Sequence, residues 1–233
     1  MRSGPSAARA SGREGAGGPG VVGEAPGRAA TGAGTPRREG ARSPFGGAAL
    51  GFLRIIAGEL GGRRIRTPPG AGVRPTSERV REALFSILGP SVVDARVLDA
   101  FAGSGALGIE ALSRGARAAE FIESAPDALA VLRSNVAGLG LGDRARIVQA
   151  GAVSALARRL VQPPFDLILA DPPYGSPVAT RFLSAIASGP WISAGGQLVI
   201  ERGKADPPGE GTKGLTLTNS RRYGDTCLEF YSP

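Results

Sequence analysis

The sequence predicts an α/β fold: a seven-stranded, mostly parallel sheet with helices on both faces. Three observations carry this. From Leu53 onward, short apolar runs alternate with amphipathic stretches at a pace suited to one parallel sheet. One run, Val97-Leu98-Asp99, feeds a glycine-rich turn that opens a helix. The last two apolar runs, 213–219 and 225–231, have no helix between them and read as an antiparallel hairpin.

In order, a short strand at 53–57 is followed by Gly- and Arg-rich turns forming an N-terminal hairpin. A helix at about 77–88 follows, with Val80, Leu84, Phe85, Ile87 and Leu88 as its apolar stripe. Thr76 and Ser77 are its cap candidates, and Arg79 and Arg81 are expected on its wetter face. Then come strand 95–100, helix 106–114, strand 118–123, helix 126–138, strand 145–149 and helix 152–160. Strand 165–170, helix 178–187 and strand 196–201 complete five parallel strands ahead of the hairpin. Residues 51–233 are thus expected to form one domain, with 53–90 as its hairpin-and-helix extension, and that length suffices for one well-buried core.

Residues 1–50 differ in composition, being dominated by Gly, Ala, Pro, Arg and Ser with Phe45 the only aromatic residue. Such a segment cannot bury enough apolar surface to offset its ordering entropy, and it is expected to be a disordered basic tail. Three readings of it stand: an arm adding non-specific RNA affinity, a transit peptide, or an upstream start codon translated on paper only, which is preferred. The chain carries 28 basic and 20 acidic residues, of which the first 50 residues hold seven Arg and three Glu. Half of the net charge of +8 therefore lies in the tail, and the expected domain is only moderately basic. The absence of histidine excludes His triads, His metal sites and His general bases. A lone cysteine, Cys227, excludes intrachain disulfides and Cys-cluster zinc sites. No run is long and apolar enough to span a bilayer, so no membrane partner and no metal are expected.

Two motifs carry chemistry. Strand 165–170 ends in Asp171-Pro172-Pro173-Tyr174, at the carboxyl end of a strand, where open α/β sheets place ligands. The Asp171 carboxylate and the Pro172 carbonyl can accept hydrogen bonds from an exocyclic amine. Pro172 and Pro173 stiffen the loop, and the Tyr174 ring can stack on a base. In the second motif, Gly103, Gly105 and Gly108 spell a dinucleotide fingerprint. Asp99, four residues before Gly103, would repel a pyrophosphate but attract the ammonium of an amino acid, which favours S-adenosylmethionine over NAD. Glu123 ends the next strand at the spacing from which an acid reaches ribose hydroxyls, a contact common to both ligands.

With these placed, residues 53–233 resemble the bacterial family that methylates one guanine amine of small-subunit ribosomal RNA, the 16S rRNA (guanine(966)-N(2))-methyltransferases. The resemblance rests on Leu53-Arg54-Ile55-Ile56-Ala57-Gly58, Gly62-Arg63-Arg64, the run from Arg74 to Phe85, the run from Asp99 to Gly115, and Asp171-Pro172-Pro173-Tyr174. It implies a Rossmann-like fold and methyl transfer from S-adenosylmethionine to guanine N2 in a cytoplasmic monomer. The substrate would be ribosomal RNA or the assembling small subunit. Cofactor contacts are then expected at Asp99, Phe101, Gly103, Ser104, Gly105, Glu123 and Ala152. Catalysis is expected at Asp171, Pro172, Pro173 and Tyr174, and RNA contacts at Arg63, Arg64, Arg74, Thr76, Arg79 and Arg81. One position departs from the pattern: Gly151 stands where the family carries an aspartate reaching the cofactor's adenine. Two alternatives stay open. One is methylation of adenine N6 or cytosine N4 in RNA or DNA, although a DNA enzyme would lack room for a target-recognition domain. The other is an inactive module that binds S-adenosylmethionine or RNA.

Overall fold

The computed structural model describes residues 51–68, 75–206 and 211–233. The expected tail at 1–50, Arg74, and the side chains of Thr76 and Ser77 lie outside the described residues. The first described element is an antiparallel ribbon of β1 (Gly51–Arg54) and β2 (Arg64–Thr67), with Arg54 opposite Arg64. β1 stops short of the expected 57 because the next backbone donors turn elsewhere. The Ile56 and Ala57 N–H groups donate to the Glu110 carboxylate at 2.8 and 3.1 Å.

Helix α1 (Pro75–Leu88) starts two residues before the expected 77, on a proline, which suits a first helical turn. Thr76 and Ser77 therefore lie inside the helix rather than at its cap. A short 3-10 turn, Gly89–Val92, leads into β3 (Arg96–Asp99). Then follow α2 (Ala106–Ser113), β4 (Ala118–Glu123), α3 (Pro126–Leu139), β5 (Ala145–Gln149) and α4 (Ala152–Ala157). Helix α4 ends before the expected 160 because the chain turns left-handed at Arg159, with φ 50°. β6 (Phe165–Ala170), α5 (Val178–Ala187), β7 (Ile192–Gly203), β8 (Thr216–Tyr223) and β9 (Thr226–Ser232) complete the described chain.

The seven strands are ordered β5-β4-β3-β6-β7-β9-β8. The first five in that order are parallel, and β9 runs antiparallel to both β7 and β8. Alternate residues of each strand face opposite sides of the sheet. Val97, Leu167 and Leu169 join the core under α1, α2 and α3. Leu98, Ala100, Ile168 and Ala170 join a second core under α4 and α5. Two-sided burial explains why β6 is apolar without a break from Leu167 to Ala170, each large apolar side chain contributing about 1.5–3 kcal/mol. The sequence order of the strands reverses between β3 and β6, and such switch points leave a crevice at the strand ends.

Candidate active site

That crevice holds a cavity of about 200 Å³ whose wall includes Asp99 from β3, the turn Phe101–Ser104, Ala106 and Leu107 from α2, Asp171 beyond β6, and Glu201 from β7. Leu53 of β1 and Val80, Arg81 and Leu84 of α1 close it on the remaining side.

Asp99 is 1% exposed; its Oδ2 accepts the Gly108 N–H at 2.9 Å, and its Oδ1 has no hydrogen-bond partner. Burial pushes its carboxyl up to about 7 against the Gly108 hydrogen bond, and the nearby Glu123 charge pushes the same way. A buried acceptor with an unused oxygen on a cavity wall suits a cationic ligand group. The turn after it depends on glycine. Gly105 has φ +85°, and a Cβ there would come within 2.6 Å of the Leu132 side chain. Gly108 lets α2 sit against the Phe121 ring, where a Cβ would approach to 2.3 Å. By contrast, a Cβ at Gly103 would meet nothing within 4 Å, so the turn leaves open space on its outer side.

Glu123 stands outside the cavity wall. Its Oε2 accepts the Gly103 N–H at 2.7 Å, and its Oε1 accepts the Ser124 and Ala125 N–H groups, each at 2.7 Å. The carboxylate thus ties the end of β4 to the glycine turn, and Oε2, with one bond, keeps room for another donor such as a ribose hydroxyl. Phe101 is half-buried edge-on to Phe182, with ring centroids 5.3 Å apart. Ser104 is buried, and its carbonyl accepts from Asn135 at 2.9 Å. Ala152 is buried at the first position of α4, outside the cavity wall. The preceding Gly151 has ordinary extended backbone, and a Cβ there would meet nothing within 4 Å.

On the opposite wall Asp171 is exposed, Pro172 buried and Pro173 exposed. Tyr174 is 40% exposed, and its ring lies over Gly203, where an added Cβ would come within 2.9 Å of a ring carbon. Its hydroxyl donates to Glu201 Oε1 at 2.5 Å and lies 3.1 Å from Thr226 Oγ1. Burial and the bond to Glu201 push the phenol above its ordinary range, so it stays a donor.

The basic residues divide. Arg64 is exposed, with its guanidinium stacked 4.3 Å over the Phe52 ring. Arg79 is exposed, and Arg63 is exposed with a bond to the Gly138 carbonyl at 3.0 Å. Arg81 corrects the expectation of a wetter face. It is 4% exposed, donates to the Arg54 carbonyl at 2.6 Å and lies 3.8 Å from Glu110. Its charge answers a buried carboxylate inside the protein.

Three contributors escaped the sequence reading. Glu201 follows the apolar run Leu198–Ile200, the same acid-after-apolar-run signal that marked Asp99 and Asp171. Glu110 holds the turn after β1 and pairs with Arg114 at 2.7 Å. Asn135 accepts from the Arg66 N–H and donates to the Arg66 and Ser104 carbonyls, all at 2.9 Å, joining β2 to the glycine turn. No local pattern marks a mid-helix Asn or Glu whose partners at the ribbon lie more than 50 residues away.

A mostly parallel sheet with this strand order, a glycine turn after the acid that ends one strand and an Asp-Pro-Pro-Tyr loop after the next is the architecture of the class of Rossmann-like methyltransferases. Residues 53–232 match the model of the family described as conserved hypothetical protein 95. The chain is 40% identical to the ribosomal RNA small subunit methyltransferase D of Escherichia coli K12 over 151 residues, 65% of this chain and 75% of that protein. Its fold matches the solved Escherichia coli protein yhhF with a TM-score of 0.70 and 35% identity, over 78% of this chain and 97% of that one. It also matches the Thermus thermophilus 16S rRNA N2 G1207 methyltransferase RsmC, solved with AdoMet and guanosine, at a TM-score of 0.57 and 20% identity over 78% of this chain and 49% of that one, which concerns the fold alone. The chain belongs to the conserved hypothetical protein 95 family, among relatives named ribosomal RNA small subunit methyltransferase D.

Proposed function

We propose that this protein transfers a methyl group from S-adenosylmethionine to the exocyclic N2 amine of a guanine in small-subunit ribosomal RNA. The observation carrying the reading is that Asp99, the glycine turn and Asp171 share one cavity at the switch point of the sheet. Their residue types fit the two reactants: a buried carboxylate for an ammonium, open space beside Gly103 for a nucleoside, and an acceptor loop for an amine.

When bound, S-adenosylmethionine supplies an electrophilic methyl on a sulfonium. Asp99 would hold its amino-acid end, and Glu123 with the Gly103 and Ser104 backbone its ribose side. The guanine amine is a weak nucleophile because its lone pair is delocalised into the ring. Hydrogen bonds from that amine to the Asp171 carboxylate and the Pro172 carbonyl hold the nitrogen pyramidal, with its lone pair directed at the methyl. Tyr174, fixed at its hydroxyl end, offers its exposed ring for stacking. Asp171 is placed to take the proton that the methylated amine loses. The catalysis is positioning and electrostatics, and it requires the target base to be unpaired or flipped. Arg63, Arg64 and Arg79 supply phosphate contacts that orient the RNA without reading its sequence.

Among the described residues no cluster of His, Cys, Asp or Glu could hold a metal, and no helix is long and apolar enough to cross a membrane. We place the enzyme in the cytoplasm as a single-domain monomer over residues 51–233, acting on ribosomal RNA or the assembling subunit.

The test is methylation of unmodified small-subunit RNA, free and assembled, with labelled S-adenosylmethionine and nucleoside mass spectrometry. N2-methylguanosine is expected, and Asp171→Ala should lower its rate about a hundredfold or more. N6-methyladenosine or N4-methylcytidine in its place would overturn the substrate.

A further inference from the structure

We infer that Glu201 is the residue that selects guanine, by accepting the N1–H of a base whose N2 amine sits at Asp171; the inference rests on the methyl transfer proposed above. The strand register places Ala170 opposite Ile200, so Asp171 and Glu201 follow at the same edge on neighbouring strands. Both side chains line the same cavity. The Tyr174 hydroxyl donates to Glu201 Oε1, which orients the carboxylate, and a carboxylate oxygen accepts more than one hydrogen bond.

The chemistry of base edges supplies the selection. An amine delivered to Asp171 brings its ring neighbours toward the adjoining wall, and a carboxylate there accepts hydrogen bonds and repels other acceptors. Adenine N6 is flanked by the acceptors N1 and N7, and cytosine N4 by the acceptor N3 and an apolar C5–H. Guanine N2 is flanked by N1–H on one side and the acceptor N3 on the other. Of the three base amines, guanine N2 alone has a donor beside it. A carboxylate next to Asp171 therefore repels adenine, gives cytosine no partner, and fixes guanine with N1–H toward Glu201 and N3 away from it. A polar group that a wrong substrate covers without pairing it discriminates strongly between substrates.

The probe is a small-subunit RNA fragment spanning the methylated position, made with either guanosine or 2-aminopurine riboside at that position. 2-Aminopurine keeps the N2 amine but presents an acceptor at N1. The full-length protein should prefer guanosine by about a hundredfold in kcat/KM. Glu201→Gln, whose amide can donate to N1, should lower the guanosine rate, raise the 2-aminopurine rate and bring the two within about threefold. Glu201→Asp keeps an acceptor and should keep the preference. Tyr174→Phe removes the hydroxyl while leaving the carboxylate, and it should slow both substrates while guanosine stays preferred. Equal use of both RNAs by the unaltered protein overturns the inference without any variant. So does a Glu201→Gln enzyme that loses activity on both at an unchanged ratio, the signature of a residue that only supports Tyr174. Methylation of a different base amine would instead overturn the function from which the inference starts.

Discussion

Asp99 joins burial to ligand binding in a single side chain. With its carboxyl raised to about 7 by burial, a large fraction of the ligand-free protein carries it neutral near neutral pH. A bound ammonium favours the charged form, so binding from below pH 7 must release a proton. Affinity for S-adenosylmethionine should therefore fall about tenfold per unit as pH drops below 7 and level off above it. Calorimetric titration at pH 6 and pH 8, in buffers of differing ionisation heat, would read both the affinity and the proton. Asp99→Asn should bind more weakly and without that slope; a wild-type affinity unchanged between the two pH values would remove Asp99 from the ammonium site. The folded state holds the Asp99 proton more tightly than the unfolded chain does, so this group's contribution to stability of the ligand-free protein is complete below about pH 4. It is lost as pH rises toward 7. Asp99 and Asp171 were legible because each is an acid after an apolar run ahead of a turn. Arg81 was misplaced because a helical wheel cannot show that a carboxylate 29 residues later lies in its path.

Between elements, the decisive contacts are side chains imitating backbone. Asn135 on α3 closes a peptide-like pair with Arg66 on β2 and also holds the Ser104 carbonyl. Glu110 on α2 completes the donors that β1 leaves unpaired. The ribbon is thereby fastened to the glycine turn, so the arginine-bearing element and the cofactor element are held as one piece. Element types and order were readable from periodicity, whereas the ends of β1 and α4 depended on Glu110 and on the left-handed Arg159. Helix α4 lacks a side-chain cap, and Gly151 at that place faces open space. Gly151→Asp should therefore fit without strain. It should cap α4 for a few tenths of a kcal/mol and add an adenine contact worth about 1 kcal/mol, roughly fivefold in cofactor affinity. Melting temperature reads the first effect and calorimetry the second; a weaker cofactor affinity in this variant would show that the open space serves something other than adenine.

For the whole molecule, charge is where composition misleads most. The net +8 suggests a broadly basic protein, yet half of it lies in residues 1–50, and Arg81 faces a buried carboxylate. Arg63, Arg64 and Arg79, exposed on the ribbon and α1, are the residues proposed to meet RNA. Replacing Arg64 and Arg79 by Ala should weaken binding about equally for all RNA sequences and reduce the slope of log affinity against log salt by roughly 1.5–2. Filter binding across a salt series would check this, and an unchanged slope would place the phosphates elsewhere. The topology itself was legible, since alternation with a terminal hairpin admits few sheets once crossovers are right-handed.

The cavity wall draws on Leu53, then on Asp99 and the glycine turn, then on Asp171, and last on Glu201. Because a ribosome makes the chain in that order, the nascent protein acquires its parts one strand at a time. A chain stopped after β4 carries Asp99, the glycine turn and Glu123 but not Asp171; one stopped after β6 and its loop carries Asp171 but not Glu201. Glu201, to which the selection is assigned, is synthesised last of these, with β7, so a product interrupted before β7 lacks that part of the cavity wall.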